Sequence, residues 1–182
     1  MVPRGGQAVA GLAPPTDAAG ANPSRVSSPL DELRSFVAHS PRQTFLLFPL
    51  AALAERTGRG RLKQLDLRFL PLLVLGYGLY RWGGGHRAAR DAGTPGFKNI
   101  PVKLLEDGPY AYSRNPMYLG HLVFLAGLLL VTRSPASLAA FLWQRDRLMG
   151  RVGEDEVRLA ERFGEAYRDY IARVPRWLPR LP

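Results

Sequence analysis

The chain contains no cysteine. Disulfides, cysteine-ligated zinc and thiol catalysis are excluded, and the redox compartment is left open. Histidine is scarce too: His39, His86 and His121 are scattered, with no metal-ligand spacing, and no metal site is expected. No HExxH, P-loop or GxSxG pattern occurs. Acidic residues are few, 15 against 25 Lys and Arg, giving a net charge of +10. That balance suits nucleic acid, an anionic membrane surface or an anionic ligand. No apolar run reaches the roughly 20 residues of an unambiguous membrane span.

What is present is a set of shorter apolar runs with basic flanks. Residues 1–29 are rich in Gly, Pro, Ala and Ser and read as a disordered tail. Apolar segments follow at Thr44–Ala54, Phe69–Trp82 and Met117–Thr132, and a fourth, Ser137–Val152, starts apolar and turns charged. The first spans a bilayer only if extended backward, and the second only if extended back to about Leu62. Arg56–Arg68, Arg81–Arg90 and Arg145–Arg151 carry positive charge beside these runs, which is the membrane pattern; no nucleic-acid-binding motif accompanies it, and no nucleic-acid partner is expected. A soluble basic helical protein and a non-catalytic basic membrane adaptor are the competing readings.

"TRSPAS" (Thr132–Ser137) is a turn signal, so the third and fourth segments form a helical hairpin. Beyond it, Val152, Glu156, Leu159, Phe163, Tyr167, Tyr170 and Val174 recur at three- and four-residue steps. They predict an amphipathic helix ending before Pro175, with Glu156 the one acid on its apolar and aromatic stripe. The hairpin returns that helix to the start of the third segment, "GPYAYSRNPMYLG" (Gly108–Gly120). There Asn115 suits an N-cap and Pro116 the first helical turn. Gly120 permits close helix packing. The same helix start offers free N–H groups and positive potential to an anion, beside the fork of Arg114. His121, on the most apolar helix, reads as a core residue or a functional one. Tyr110, Tyr112 and Tyr118 read as interfacial anchors, and Tyr167, Tyr170 and Trp177 as anchors or as walls of an aromatic slot. Arg145 and Arg147 face a headgroup or line a cavity.

These residues carry a resemblance. Gly108-Pro109-Tyr110, Arg114-Asn115-Pro116, Tyr118 and Gly120, a hairpin, then Asp155-Glu156, Leu159, Phe163-Gly164, Tyr167 and Tyr170 are similar, in order and spacing, to the isoprenylcysteine carboxyl methyltransferase family, a relative of phospholipid N-methyltransferases. Ala92–Phe97 resembles the loop that precedes this region, and the likeness covers roughly residues 92–179. Where the family has His, this chain has Asn115, and the first acid of the Glu-Glu pair is Asp155.

The resemblance implies an all-α fold, a small integral membrane helical bundle with a C-terminal hairpin and an amphipathic cytosolic helix. Residues 1–29 are then the tail, 30–91 the N-terminal membrane helices and 92–182 the catalytic region that binds S-adenosylmethionine. The implied cofactor-binding residues are Tyr112, Arg114, Asn115, Pro116, Tyr118, Gly120, Glu156, Leu159, Tyr167 and Tyr170, and the implied catalytic ones Arg114, Tyr118 and His121. The expected acceptor is lipophilic or membrane-associated, and the expected location the cytoplasmic membrane with a cytosolic C-terminus.

Overall fold

The computed structural model describes residues 40–90, 92 and 101–178. The tail at 1–29 and all of Ala92–Phe97 except Ala92 lie outside them. Among the described residues the only regular structure is helical. Helix α1 is continuous through Ser40–Arg42, Gln43–Leu47 and Phe48–Gly58, helix α2 covers Leu70–Ala89, α3 covers Pro116–Thr132 and α4 covers Pro135–Arg173. Together they form an antiparallel bundle in which the chain runs up, down, up and down.

Proline placement explains several boundaries. Gln43–Leu47 has π geometry. Pro49, two residues on, cannot donate to the carbonyl four residues before it, and the ladder widens locally. Pro71, Pro116 and Pro135 each sit in a first turn, where no N–H is required. The expected backward extension of the second segment is not helical. Leu62–Gln64 and Leu67–Phe69 are separate 3-10 turns, and α2 starts only at Leu70. It runs instead through Gly83-Gly84-Gly85 to Ala89, because Gly83 packs on Met117 and Pro116 of α3.

The α2–α3 crossing is built on small residues. A Cβ at Gly120 would lie 2.6 Å from the Tyr80 amide nitrogen and 2.7 Å from the Gly76 carbonyl, and one at Gly127 would lie 2.8 Å from the Leu72 Cβ. Backbones meet backbones there, a contact that larger residues forbid. On the other side of α3, Ala52, Leu125 and Leu128 pack with Phe48, Leu73, Phe124 and Phe141.

Thr132–Ser137 makes the expected tight turn. Arg133 takes a left-handed conformation (φ 46°), its N–H bonds the Leu129 carbonyl, and its guanidinium reaches Asp66 at 2.7 Å. The expected separation between the fourth segment and the amphipathic helix is absent. Both belong to α4, which is continuous through Gly153 and breaks only at Gly164 (φ 54°, ψ −120°), a conformation suited to glycine. The break folds Tyr167, Tyr170 and Val174 back onto Leu104, Leu159 and Phe163.

Among the described residues no helix is both long and apolar enough to cross a membrane. Helix α2 has 20 residues but carries Arg81, His86 and Arg87, while α3 is apolar but has 17 residues, about 26 Å.

Candidate functional site

The site lies where the N-terminus of α3, the middle of α4 and the chain after α4 converge. Gly108–Ala111 forms a 3-10 turn with Gly108 at φ 56°. Its Tyr110 carbonyl accepts from the Tyr170 hydroxyl at 2.8 Å, tying the turn to the segment beyond the kink. Burial pushes the Tyr110 phenol up to about 12, and burial likewise raises Tyr170. Both therefore stay neutral hydrogen-bonding groups at physiological pH.

The strip Ser113–Asn115 binds the chain's last described residues. The Arg114 N–H donates to the Pro175 carbonyl at 3.0 Å, and Ser113 Oγ and Asn115 Nδ2 donate to the Arg176 carbonyl at 3.3 and 3.2 Å. Asn115 thus occupies the N-cap position, but its side chain does not cap; among the described residues no side chain caps α3. The helix starts where the Asn-Pro pair predicts, and its first turn packs against Gly83 of α2.

Across the hairpin, Arg114 Nη1 lies 3.2 Å from Glu156 Oε1, and their side chains are only 14% and 16% exposed. Arg176 grips the same carboxylate with two nitrogens, Nε at 3.0 Å from Oε1 and Nη2 on Oε2. Two guanidinium groups, one largely buried and one half-exposed, share one carboxylate, leaving one net positive charge. Two donors beside it lack acceptors among the described residues. Arg114 Nε and the Tyr167 hydroxyl are both buried without a hydrogen-bond partner of good geometry. Burial, then the Glu156 charge, raise the Tyr167 phenol, while Arg114 and Arg176 oppose the rise.

The neighbouring acid has a different partner. The Tyr118 hydroxyl donates to Asp155 Oδ2 at 2.8 Å, a second link across the hairpin. Leu159 packs in the aromatic cluster with Tyr167 and Tyr170. Pro116 is buried in the first turn of α3.

Three expected site residues stand apart from the Arg114–Glu156 pair. Tyr112 is 60% exposed. Gly120 has its face filled by the α2 backbone. His121, on α3, is buried against α1 and α2, its Nδ1 at 2.8 Å from Thr44 Oγ1 and its ring 4.9 Å from Phe45 and 5.1 Å from Tyr80. Of the two arginines suggested for a headgroup or cavity, Arg145 is exposed and pairs with Asp146, whereas Arg147 donates to Gln43 at 2.9 Å and stacks on Trp143. Arg176 carries no signal in the sequence, because it follows the helix and belongs to no periodic stripe. Only its place just past Pro175, where the chain must turn back, hints at it. A second unforeseen cluster joins His86, Arg90 and Asp107 at 2.7 and 2.5 Å, and the His86 hydrogen bond, with help from Arg90, holds the Asp107 carboxyl below its usual range.

The family model described as phospholipid methyltransferase matches residues 72–165, just over half of the chain and including α3, the hairpin and Glu156. Protein-S-isoprenylcysteine O-methyltransferase of Schizosaccharomyces pombe is 32% identical over 88 residues, covering 47% of this chain and 36% of that protein. The Homo sapiens protein of the same name is 35% identical over 79 residues, 42% of this chain and 27% of that protein. The chain thus spans between about a quarter and just over a third of the length of these curated relatives. No solved structure matches.

Proposed function

The chain belongs to the phospholipid methyltransferase family, and from that premise we propose that it is an integral membrane methyltransferase that takes a methyl group from S-adenosylmethionine and passes it to a lipophilic or membrane-associated acceptor. The observation that carries this is the meeting of Arg114, at the start of α3, with Glu156, on the far arm of the hairpin. An amino acid's carboxylate and ammonium sit on one carbon, so a ligand of that kind needs a cation and an acid side by side. Arg114 at the uncapped start of α3 suits the carboxylate, and Glu156 suits the ammonium or a ribose hydroxyl. Two buried donors without acceptors among the described residues, and one uncompensated positive charge, fit an incoming anion. Tyr118, Leu159, Tyr167 and Tyr170 supply the apolar and aromatic wall.

The donor, when bound, supplies an electrophilic methyl carbon on sulfur. The chain's own contribution is to hold donor and acceptor in line, which lowers the barrier by positioning. A carboxylate acceptor is already ionised and needs no base. An amine, phenol or thiol needs one, and the candidates are His121, for an acceptor that enters the bundle beside Thr44, and the exposed Tyr112.

Membrane residence is supported by an inverted distribution of polarity. Thr44, Ser137 and Gln144 are 0% exposed and His121 3%, whereas Val74 is 74%, Leu50 54% and Trp143 49% exposed. Polar groups inside and large apolar groups outside suit a hydrocarbon solvent, where small residues make the helix contacts. A helix of about 26 Å is accommodated by local thinning and by arginines that reach outward. We place the site end in the cytosol, since it carries Arg87, Arg90, Lys103, Arg114, Arg151 and Arg158 and the rest of the basic C-terminal region.

The test is S-adenosylmethionine binding by the detergent-purified protein. Binding that drops in Arg114→Ala and Glu156→Ala supports the assignment, and undiminished binding in both overturns it. A membrane adaptor would bind no donor at all and would tolerate both changes.

A further inference from the structure

We propose that Arg176 is a ligand-binding residue: with Arg114 and the Tyr167 hydroxyl it forms an anion clamp that recognises the carboxylate of the donor's amino-acid end. The proposal rests on the donor-site reading above and adds to it a residue from outside the hairpin. Three observations carry it. First, both Glu156 oxygens are engaged by arginine, so an incoming ammonium meets a saturated acid and must displace one guanidinium. Second, the two arginines differ in freedom: the Arg114 side chain is 14% exposed and that of Arg176 49%. The Arg176 backbone is pinned by Ser113 and Asn115, so its side chain can swing while its origin stays fixed. Third, the Tyr167 residue is 3% exposed, its hydroxyl lies against Arg114, and neither that hydroxyl nor Arg114 Nε has a partner of good geometry among the described residues. Buried donors without acceptors are costly and rare, and here both stand beside a net positive charge.

An exchange of ion pairs satisfies every group. The ligand's ammonium takes a place on Glu156, and the released Arg176 fork turns to the ligand's carboxylate, which also accepts from Arg114 and Tyr167. Charge is conserved, because the amino-acid end of the ligand is a zwitterion.

The experiment is calorimetric titration of the detergent-solubilised full chain with two probes, S-adenosylhomocysteine and its decarboxylated analogue, which keeps the amine and lacks the carboxylate. The wild type is expected to bind the first at least about tenfold more tightly. In Arg176→Gln the affinity for S-adenosylhomocysteine falls about tenfold, and that for the analogue stays within about twofold. Arg176→Lys retains part of the discrimination, and thermal unfolding without ligand confirms that both variants are folded. Equal loss for both probes would show that Arg176 merely props Glu156 and would overturn the clamp, as would no loss. Failure of the wild type to bind either probe overturns the donor-site reading itself.

Discussion

The two ends of the bundle treat the same problem in opposite ways. At the turn end, the N-terminus of α4 is fully capped. Ser134 Oγ accepts from the Ala136 and Ser137 N–H groups, and the Glu55 carboxylate accepts from Ala136 N–H at 2.9 Å and from the Ser134 hydroxyl. Two exposed arginines, Arg68 and Arg133, share Asp66 there, and Arg59 pairs with Glu55. At the site end, the N-terminus of α3 has no side-chain cap among the described residues, and of the two arginines that share Glu156 one, Arg114, is only 14% exposed. A satisfied helix start holds a fold together, and an unsatisfied one is positioned to take a ligand.

Substitutions separate the two roles, beginning with the largest effect. Arg114→Ala lowers S-adenosylhomocysteine affinity about 100-fold, because a charged hydrogen bond and half of the clamp are lost. Its unfolding temperature without ligand should fall about as much as that of Tyr118→Phe, since one link across the hairpin is lost, as calorimetry and a thermal melt will show. At the other end, Ser134→Ala removes a buried cap and costs about 1 kcal/mol, which appears as a lower melting temperature, while ligand affinity stays within about twofold of wild type. If Ser134→Ala weakened binding as strongly as Arg114→Ala, the division between the ends would be lost. Tyr118→Phe removes one link across the hairpin and should lower stability by about 1 kcal/mol, with a smaller loss of affinity than Arg114→Ala.

Acid gives a subtler contrast. The Ser134 hydroxyl, then the Ala136 N–H, hold the Glu55 carboxyl below its ordinary 4.5. A lowered folded-state value means that this stabilisation is complete above about pH 4.5 and is lost as pH falls through the lower folded value. Melting temperatures of wild type and Glu55→Gln should therefore converge on acidification below pH 4.5, and a constant gap would contradict the capping role.

The sequence made some of this arrangement legible and hid the rest. The Asn115-Pro116 start and the Thr132–Ser137 turn are local chemistry, so α3 and the hairpin can be read directly. Helical spacing groups Glu156 with Leu159 and Phe163 on one face, while Tyr167 and Tyr170 lie beyond the break at Gly164, which the spacing does not show. Spacing says nothing of what a side chain meets. That Glu156 pairs with two arginines, that Asn115 turns from its helix to Arg176, and that Gly83–Gly85 stays helical against Met117 are tertiary facts. The break at Gly164 rather than Gly153 was equally hidden: both glycines lie in charged, helical sequence, and only the return of Tyr167 and Tyr170 onto Leu104 and Leu159 selects one. Gly120 shows the reverse case, where a residue of the motif is explained by helix packing alone.

The central claim is that the α3 start and Glu156 together receive the methyl donor. Its most direct test is the melting temperature of the detergent-purified protein with and without S-adenosylhomocysteine. Binding to the folded state at 100 times its dissociation constant stabilises by about 2.7 kcal/mol. The account predicts a clear rise for the wild type and none for Glu156→Ala. No rise in the wild type, or an equal rise in both, would contradict it.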